Sequence, residues 1–377
     1  MERWNPNLFR ERGLGKGYEK NYVDALVGVG RKIASRDLPV IYSLAHLAHL
    51  ANVQYADLHA VVSRSPSRGD FPYRNFTIRK RSGGKRWISV PAPPLLAVQT
   101  WIAQRLLRVV PVHRCAYAYV HGRGMPLVAN ASEHLSASWI LHMDVKDFFS
   151  NISEVQVFRV FRELEYPDLL AFEMARLCTR VAPNRSGSRW VRETVSGVEG
   201  YSTRLVGCLP QGAPTSPALS NLVCRSLDSE IELIARSRAA TYTRYADDLC
   251  FSMAEANRSL VVELMREVSR VLHRHGLSSN GKKTRIVPPG ARKLVTGIVV
   301  NGDRAAIPRE LRDRIRMHIF YCKKVGIPAH CERRGFFSVL GFRNHLRGLI
   351  QYVSSVDPPL GTKFFEEFDS LPWAPFL

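Results

Sequence analysis

The chain is short of acid. Against 54 Lys and Arg it has 33 Asp and Glu, a formal charge of +21 over 377 residues. Such an excess points away from basic partners and toward a polyanion, nucleic acid before all others. Long apolar runs are missing too. No stretch approaches the roughly 20 residues of a spanning helix, and Met1-Glu2-Arg3-Trp4-Asn5-Pro6 lacks a signal peptide's apolar core. The expectation is a cytoplasmic protein with no membrane partner. Cysteine pairs are absent: the seven cysteines are odd in number and none forms a CxxC. They read as small buried hydrophobes in a reducing compartment, not as a disulfide framework. His318, Cys322, His330 and Cys331 crowd together, but their spacing matches no zinc pattern. There is no internal repeat and no low-complexity tract. What the chain does have is 45% hydrophobic residues, enough for a packed core in two or three subdomains.

Residues 1–65 read as helical, with Ile41, Leu44, Leu47, Leu50 and Ala51 at helical spacing. Tyr73 to Ile78 and Trp87 to Pro91 read as strands around a basic glycine turn. An amphipathic helix is predicted from Pro94 to Val110, and an apolar strand from Trp139 to Val145. Helices follow over Val155 to Leu164, Leu169 to Arg180 and Pro217 to Ala235, with a polar loop or exposed hairpin at 182–206. A hairpin spans Ala240 to Met253, and a long helix runs from Arg258 to His275. Lys293 to Val300 is a strand pair, and 302–377 is helical and basic. This order predicts an α+β core with helical flanks.

The hairpin carries Tyr245-Ala246-Asp247-Asp248 at its tip. Adjacent carboxylates repel each other and pack poorly. They suit divalent cations, which favour oxygen ligands and clamp the attacking and leaving oxygens of a phosphoryl transfer. So short a motif also arises by chance, and the rest of the chain must supply its partners. Asp144 ends an apolar strand just before a helix start, beside free N–H groups suited to a triphosphate. An aspartate there is ordinarily an N-cap, a role that fits Asp147. Asp144, taken with the downstream hairpin, is expected to bind metal. In a two-metal transfer Asp144 and Asp247 would bridge both ions, and Asp248 would be a weaker ligand or tune the site. Lys80 and Arg86 flank a turn able to close on a triphosphate, or simply a solvated one. The rigid loop Leu209 to Pro217 either positions a base or sugar through Gln211 or only leads into a helix.

Five blocks in order resemble a bacterial reverse transcriptase. They are the turn around Lys80 and Arg86, Met143-Asp144 through Phe149, Leu-Pro-Gln-Gly-Ala-Pro-Thr-Ser-Pro at 209–217, Tyr-Ala-Asp-Asp, and Gly276 to Thr284. Two further pieces resemble retron hallmarks: Asn130-Ala131-Ser132-Glu133-His134 as NAxxH, and Val295-Thr296-Gly297 as VTG. The stretch from Leu346 to Val353 and on to Phe364-Phe365 is similar to a retron thumb ending.

The resemblance implies a right-hand fold with an antiparallel palm sheet. Its parts would be a helical extension at 1–65, fingers at 66–140, a palm at 141–300 and a helical thumb at 301–377. It implies two Mg²⁺ ions, replaceable by Mn²⁺, at Asp144, Val145, Asp247 and Asp248. Lys80, Arg86, Phe148, Phe149, Gln211 and Lys283 would contact the dNTP, and a ring at Phe149 would leave no room for a ribose 2′-OH. Asn130, His134, Arg309, Arg312 and Arg316 would contact RNA. The three arginines share a helical face, with Leu311, Ile315 and Ile319 on another, although a merely solvated face reads the same way. Arg185, Arg189, Arg192 and Arg204 would meet RNA or a partner.

By the same resemblance, the enzyme copies part of a cognate structured non-coding RNA from a 2′-OH. The product is a branched or RNA-linked single-stranded DNA, and the enzyme acts with an effector protein encoded nearby in antiphage defence. Three alternatives stand beside this one. Another reverse transcriptase (defence-associated, diversity-generating or group II intron-like) fits NAxxH and VTG less well, and no Cys/His nuclease pattern follows Asn301. An RNA-directed RNA polymerase conflicts with Phe149. A non-catalytic RNA-binding scaffold has no need of all three aspartates.

Overall fold

The computed structural model describes residues 4–64, 72–79, 83–122, 124–181 and 206–373. Lys80 and nearly all of the predicted 182–206 loop, including Arg185, Arg189, Arg192 and Arg204, lie outside the described residues. Contacts divide the chain into two compact units. One comprises 1–114, 145–230 and 272–278; the other comprises 115–144, 231–271 and 279–377. Among the described residues no helix is long and apolar enough to cross a membrane.

The first unit is mainly helical. Its first helix, Pro6–Gly15, begins at Asn5, whose side chain accepts from the N–H groups of Asn7 and Leu8. Helix Lys20–Ala34 buries Val23, Val27, Gly30 and Ile33 at three- and four-residue spacing. Strands β1 (Tyr73–Arg79) and β2 (Lys85–Pro91) form an antiparallel ribbon, with Tyr73 opposite Pro91 and Arg79 opposite Lys85. The helix predicted to reach Val110 keeps its span but changes pitch. Pro93–Trp101 is α, Ile102–Leu106 is π and Leu107–Val109 is 3₁₀.

Buried charge ties distant parts of this unit together. The Glu154 carboxylate accepts from the Gly207 N–H at 2.9 Å, Arg176 Nε at 3.2 Å and Thr179 Oγ1 at 3.2 Å, and pairs with Arg64. Glu154 and Arg176 are both buried. Removing Glu154 would take the carboxylate from both Arg64 and Arg176 in a low dielectric.

The second unit holds a four-stranded antiparallel sheet in the order β4-β5-β3-β6. Its strands are β3 (Trp139–Asp144), β4 (Thr241–Tyr245), β5 (Asp248–Met253) and β6 (Arg285–Val287). A separate hairpin joins β7 (Leu294–Val295) to β8 (Ile298–Val299). Its turn residues, Thr296 and Gly297, both have positive φ, 49° and 85°. Hairpin turns of the primed type require this, yet a β-branched residue rarely adopts it. The compensation is a hydrogen bond from Thr296 Oγ1 to the Leu127 carbonyl at 3.0 Å.

Leu127 belongs to helix Pro126–Ser132, so the VTG turn is pinned to the helix that starts NAxxH. Ala131, Ile140, Cys250, Val295 and Ile298 form the core beneath them. Four helices complete the unit: Arg309–Val325, Ile327–Arg333, Val339–Val356 and Pro358–Asp369. They close around Ile315, Ile319, Phe342, Leu346, Ile350 and Phe364. Each such side chain taken from water contributes about 1.5–3 kcal/mol. Tyr352 and Val356 pack against both cores, which couples the helices to the sheet.

Candidate active site

Asp144 is the last residue of β3 and Asp248 the first of β5, and the antiparallel register sets them directly opposite. Like charges facing across a ladder destabilise it, so the sheet gains nothing from the pair. Asp247 occupies the two-residue turn between β4 and β5, beside Ala246. Ala246 has φ 59°, a left-handed conformation that costs a residue with a Cβ about 1–2 kcal/mol. Arg244, fully buried, donates from Nη1 to the Ala246 carbonyl at 3.2 Å. The Arg244 main chain is held as well, its N–H by the Cys115 carbonyl and its carbonyl by the Tyr117 N–H.

The Asp144 carboxylate is buried and fully engaged. Oδ2 accepts from Lys283 Nζ at 2.6 Å, and Oδ1 accepts from Asn280 Nδ2 at 3.2 Å. The Asn280 N–H also donates to the Asp144 carbonyl at 2.7 Å. The hydrogen bond to Asp144 raises the Lys283 pKa; burial opposes the rise, and the charges of all three aspartates support it. Asp248 is pushed up to about 6, first by burial, then by the charges of Asp247 and Asp144; Lys283 and Arg285 pull the other way. Solvent still reaches Asp248, so the neighbouring carboxylates are the firmer part of this shift.

Asp144 is turned toward Lys283 and Asn280. The donor set nevertheless fits a hard divalent cation. It offers three carboxylates at one sheet end, and their mutual repulsion is what such a cation would relieve.

Asn130 and His134 require a correction. Expected at an RNA surface, each is only 1% exposed and leaves no face for RNA. His134 Nδ1 lies 2.7 Å from Ser252 Oγ in β5, and Nε2 lies 2.7 Å from Thr243 Oγ1 in β4. Burial, with a contribution from His142, pushes the imidazole pKa down to about 3. His134 is therefore a neutral crosspiece between the two strands that carry the Asp-Asp turn. Among the arginines expected to contact RNA, Arg309 and Arg316 are exposed and flank Asp313, at 3.3 and 3.7 Å. Arg312 is half-buried.

The other expected residues fall in the first unit. Arg86 is exposed on β2. Phe148 is buried and Phe149 half-buried, their rings 5.5 Å apart and inclined at 55°. The Val145 side chain is buried. Asp147 is not the helix cap: it sits at φ 46°, and Ser153 caps Glu154–Glu163 in a capping box with Gln156. The Gln211 carbonyl accepts from the Ser89 N–H of β2 at 2.8 Å.

Sequence reasoning missed Asn280, Arg244, Thr243 and Ser252. Asn280 stood inside a quoted block and Arg244 beside the hairpin motif, but nothing local marks Thr243 or Ser252.

Residues 78–299 match the family model described as reverse transcriptase (RNA-dependent DNA polymerase). That is more than half of the chain, which therefore belongs to the reverse transcriptases, with their right-hand arrangement of an antiparallel palm sheet and helical flanks. It is of the retron type. It is 32% identical to the retron Mx65 reverse transcriptase of Myxococcus xanthus, over 87% of this chain and 71% of that one. It is 29% identical to the retron Ec86 reverse transcriptase of Escherichia coli, over 88% of this chain and 94% of that one. With the retron Mx162 reverse transcriptase of Myxococcus xanthus it shares 32% identity over 79% of its own length, spanning 61% of that protein.

Proposed function

We propose that the protein is the polymerase of a retron. It copies part of a cognate structured non-coding RNA into single-stranded DNA that stays branched from, or linked to, that RNA. The observation that carries this reading is the facing pair Asp144 and Asp248, with Asp247 in the turn beside them, in a chain of the retron type.

Asp144, Asp247 and Asp248, with Val145, would hold two Mg²⁺ ions, and Mn²⁺ would substitute. When bound, the ions supply Lewis acidity for the attacking hydroxyl and the departing pyrophosphate. The protein's own groups provide position and charge. Arg244 and His134 keep the turn and its strands from shifting. Lys283 balances Asp144 at rest and offers its cation to the triphosphate of a dNTP, with Lys80 and Arg86 adding charge from the fingers turn. Phe149, backed by Phe148, blocks the space of a ribose 2′-OH, and Gln211 positions the base or sugar. Arg309 and Arg316, with Arg312 beside them, track an RNA backbone. The protein acts in the cytoplasm with an effector protein encoded nearby, in antiphage defence.

The test is the nucleic acid that copurifies from the native locus, wild type beside Asp247→Ala, Asp248→Ala, digested separately with RNase and DNase and run on a denaturing gel. The expected result is a small DNA that shortens but survives RNase and is missing from the variant. RNA alone in both samples would overturn the reading.

A further inference from the structure

Far from the palm acids in sequence, the first two helices line a solvent-open cleft of about 890 Å³. Trp4, Phe9, Tyr18 and Tyr22 line it with rings, and Arg12 and Lys16 with cations. Its walls are set by packing. Arg10 pairs with Asp24 at 2.6 Å across the two helices, and a Cβ at Gly13 would meet Val23 Cγ2 at 3.0 Å. Gly30 leaves just enough space for the Trp4 ring, which a Cβ there would approach to 2.5 Å. Phe9 stacks on Tyr42 at 5.0 Å.

Two features of this cleft point to an occupant. Tyr18 and Tyr22 stand 57% and 55% exposed, their rings 6.1 Å apart. Arg12 and Lys16 lie one turn apart on one helix face, and no ion pair among the described residues engages either. Exposed rings beside two cations make up the chemistry that takes a base with its phosphate. The volume suits one or two nucleotides.

We infer that this cleft binds an unpaired nucleotide of a nucleic-acid strand, a second holding point outside the palm. The inference rests on reading the chain as a polymerase only for the choice of a strand over other aromatic anions.

The experiment uses the full chain, stripped of copurifying nucleic acid at high salt. Fluorescein-labelled 12-nucleotide RNA and DNA probes, each with one 5-iodouracil, are titrated by anisotropy and then photo-cross-linked, and the cross-linked peptides are mapped. Extension of a primed template is measured alongside. In Tyr18→Ala, Tyr22→Ala the probe Kd is expected to rise roughly tenfold or more. In Arg12→Gln, Lys16→Gln the slope of log K against log salt should shrink by about 1.4. Trp4→Phe, which keeps a ring and removes the N–H, should weaken binding less than the tyrosine pair does. Cross-links should fall on peptides holding Trp4, Tyr18 or Tyr22, with extension and melting temperature unchanged.

Variants that fold, extend and bind the probes as the wild type does would overturn the site. Displacement by uridine monophosphate at concentrations equal to the probe's would replace the strand with a free nucleotide. Loss of a copurifying protein, with probe affinity intact, would replace it with a protein partner. Failure of the wild type to extend any primer, with the probe results as expected, would sink the polymerase reading and leave the site standing.

Discussion

At Phe149 and His134 a single side chain is assigned a task that can be measured. If the half-buried Phe149 ring excludes the ribose 2′-OH, Phe149→Ala should lower discrimination against ribonucleotides by about tenfold or more in single-nucleotide insertion. Unchanged selectivity would remove the gate. His134→Ala would leave the hydroxyls of Thr243 and Ser252 buried without their partner, at about 1–3 kcal/mol each. A drop of about 2–4 kcal/mol in urea unfolding is expected, with partial rescue by His134→Gln. The same residue makes stability depend on pH. Its pKa is about 3 in the fold against an ordinary 6.5, so between those values the unfolded chain binds a proton that the folded chain refuses. This contribution is complete above pH 6.5 and is lost as pH falls below it, at up to about 1.4 kcal/mol per pH unit. His318, held at about 4 by burial and then by His330, acts in the same direction. The urea midpoint should therefore fall from pH 7 to 5.5, and fall less in His134→Gln; equal falls would put the titration elsewhere.

Among the elements, the loop at 209–217 and the VTG turn both place a glycine at positive φ. Gly212 has φ 118°, and a Cβ there would come within 2.9 Å of Ile88 Cγ2 and 3.0 Å of the Ser89 carbonyl. Gly212→Ala should push the loop from β2, break the Ser89 N–H bond to Gln211 and cost about 1–2 kcal/mol. Hydrogen exchange at the Ser89 amide is the direct check, and protection equal to wild type would mean the loop absorbs the methyl. NAxxH and VTG are visible as words in the sequence, but their meeting is not. His134 finds its partners 118 and 109 residues away, and Thr296 reaches a carbonyl 169 residues back. No local pattern encodes separations of that size. The N-cap expected at Asp147 went to Ser153 instead, because Ser153 followed three residues later by Gln156 completes a capping box.

For the molecule as a whole, the charge of +21 dictates how it should hold RNA. Each phosphate neutralised releases counterions, so log K should fall linearly with log salt, by about 0.7 per contact on single strands and 0.9 on duplex. Arg309→Gln, Arg316→Gln should reduce that slope by about 1.4–1.8 while leaving the core helix face of Ile315 and Ile319 in place. An unchanged slope would make the arginine face a solvated one, the plainer reading of its pattern.

The sequence alone determined the chemistry on offer: three aspartates in two motifs, a basic chain, the order of strands and helices, and the resemblance that names the family. Period, turn residues and motif spacing are local properties, and they survive in one dimension. Only the tertiary structure decided that Asp144 faces Asp248 and is engaged by Lys283 and Asn280. It moved Asn130 and His134 from an expected RNA surface into the core. Burial and charge balance are set by what packs around a residue, and those neighbours come from segments that meet only when the chain has folded.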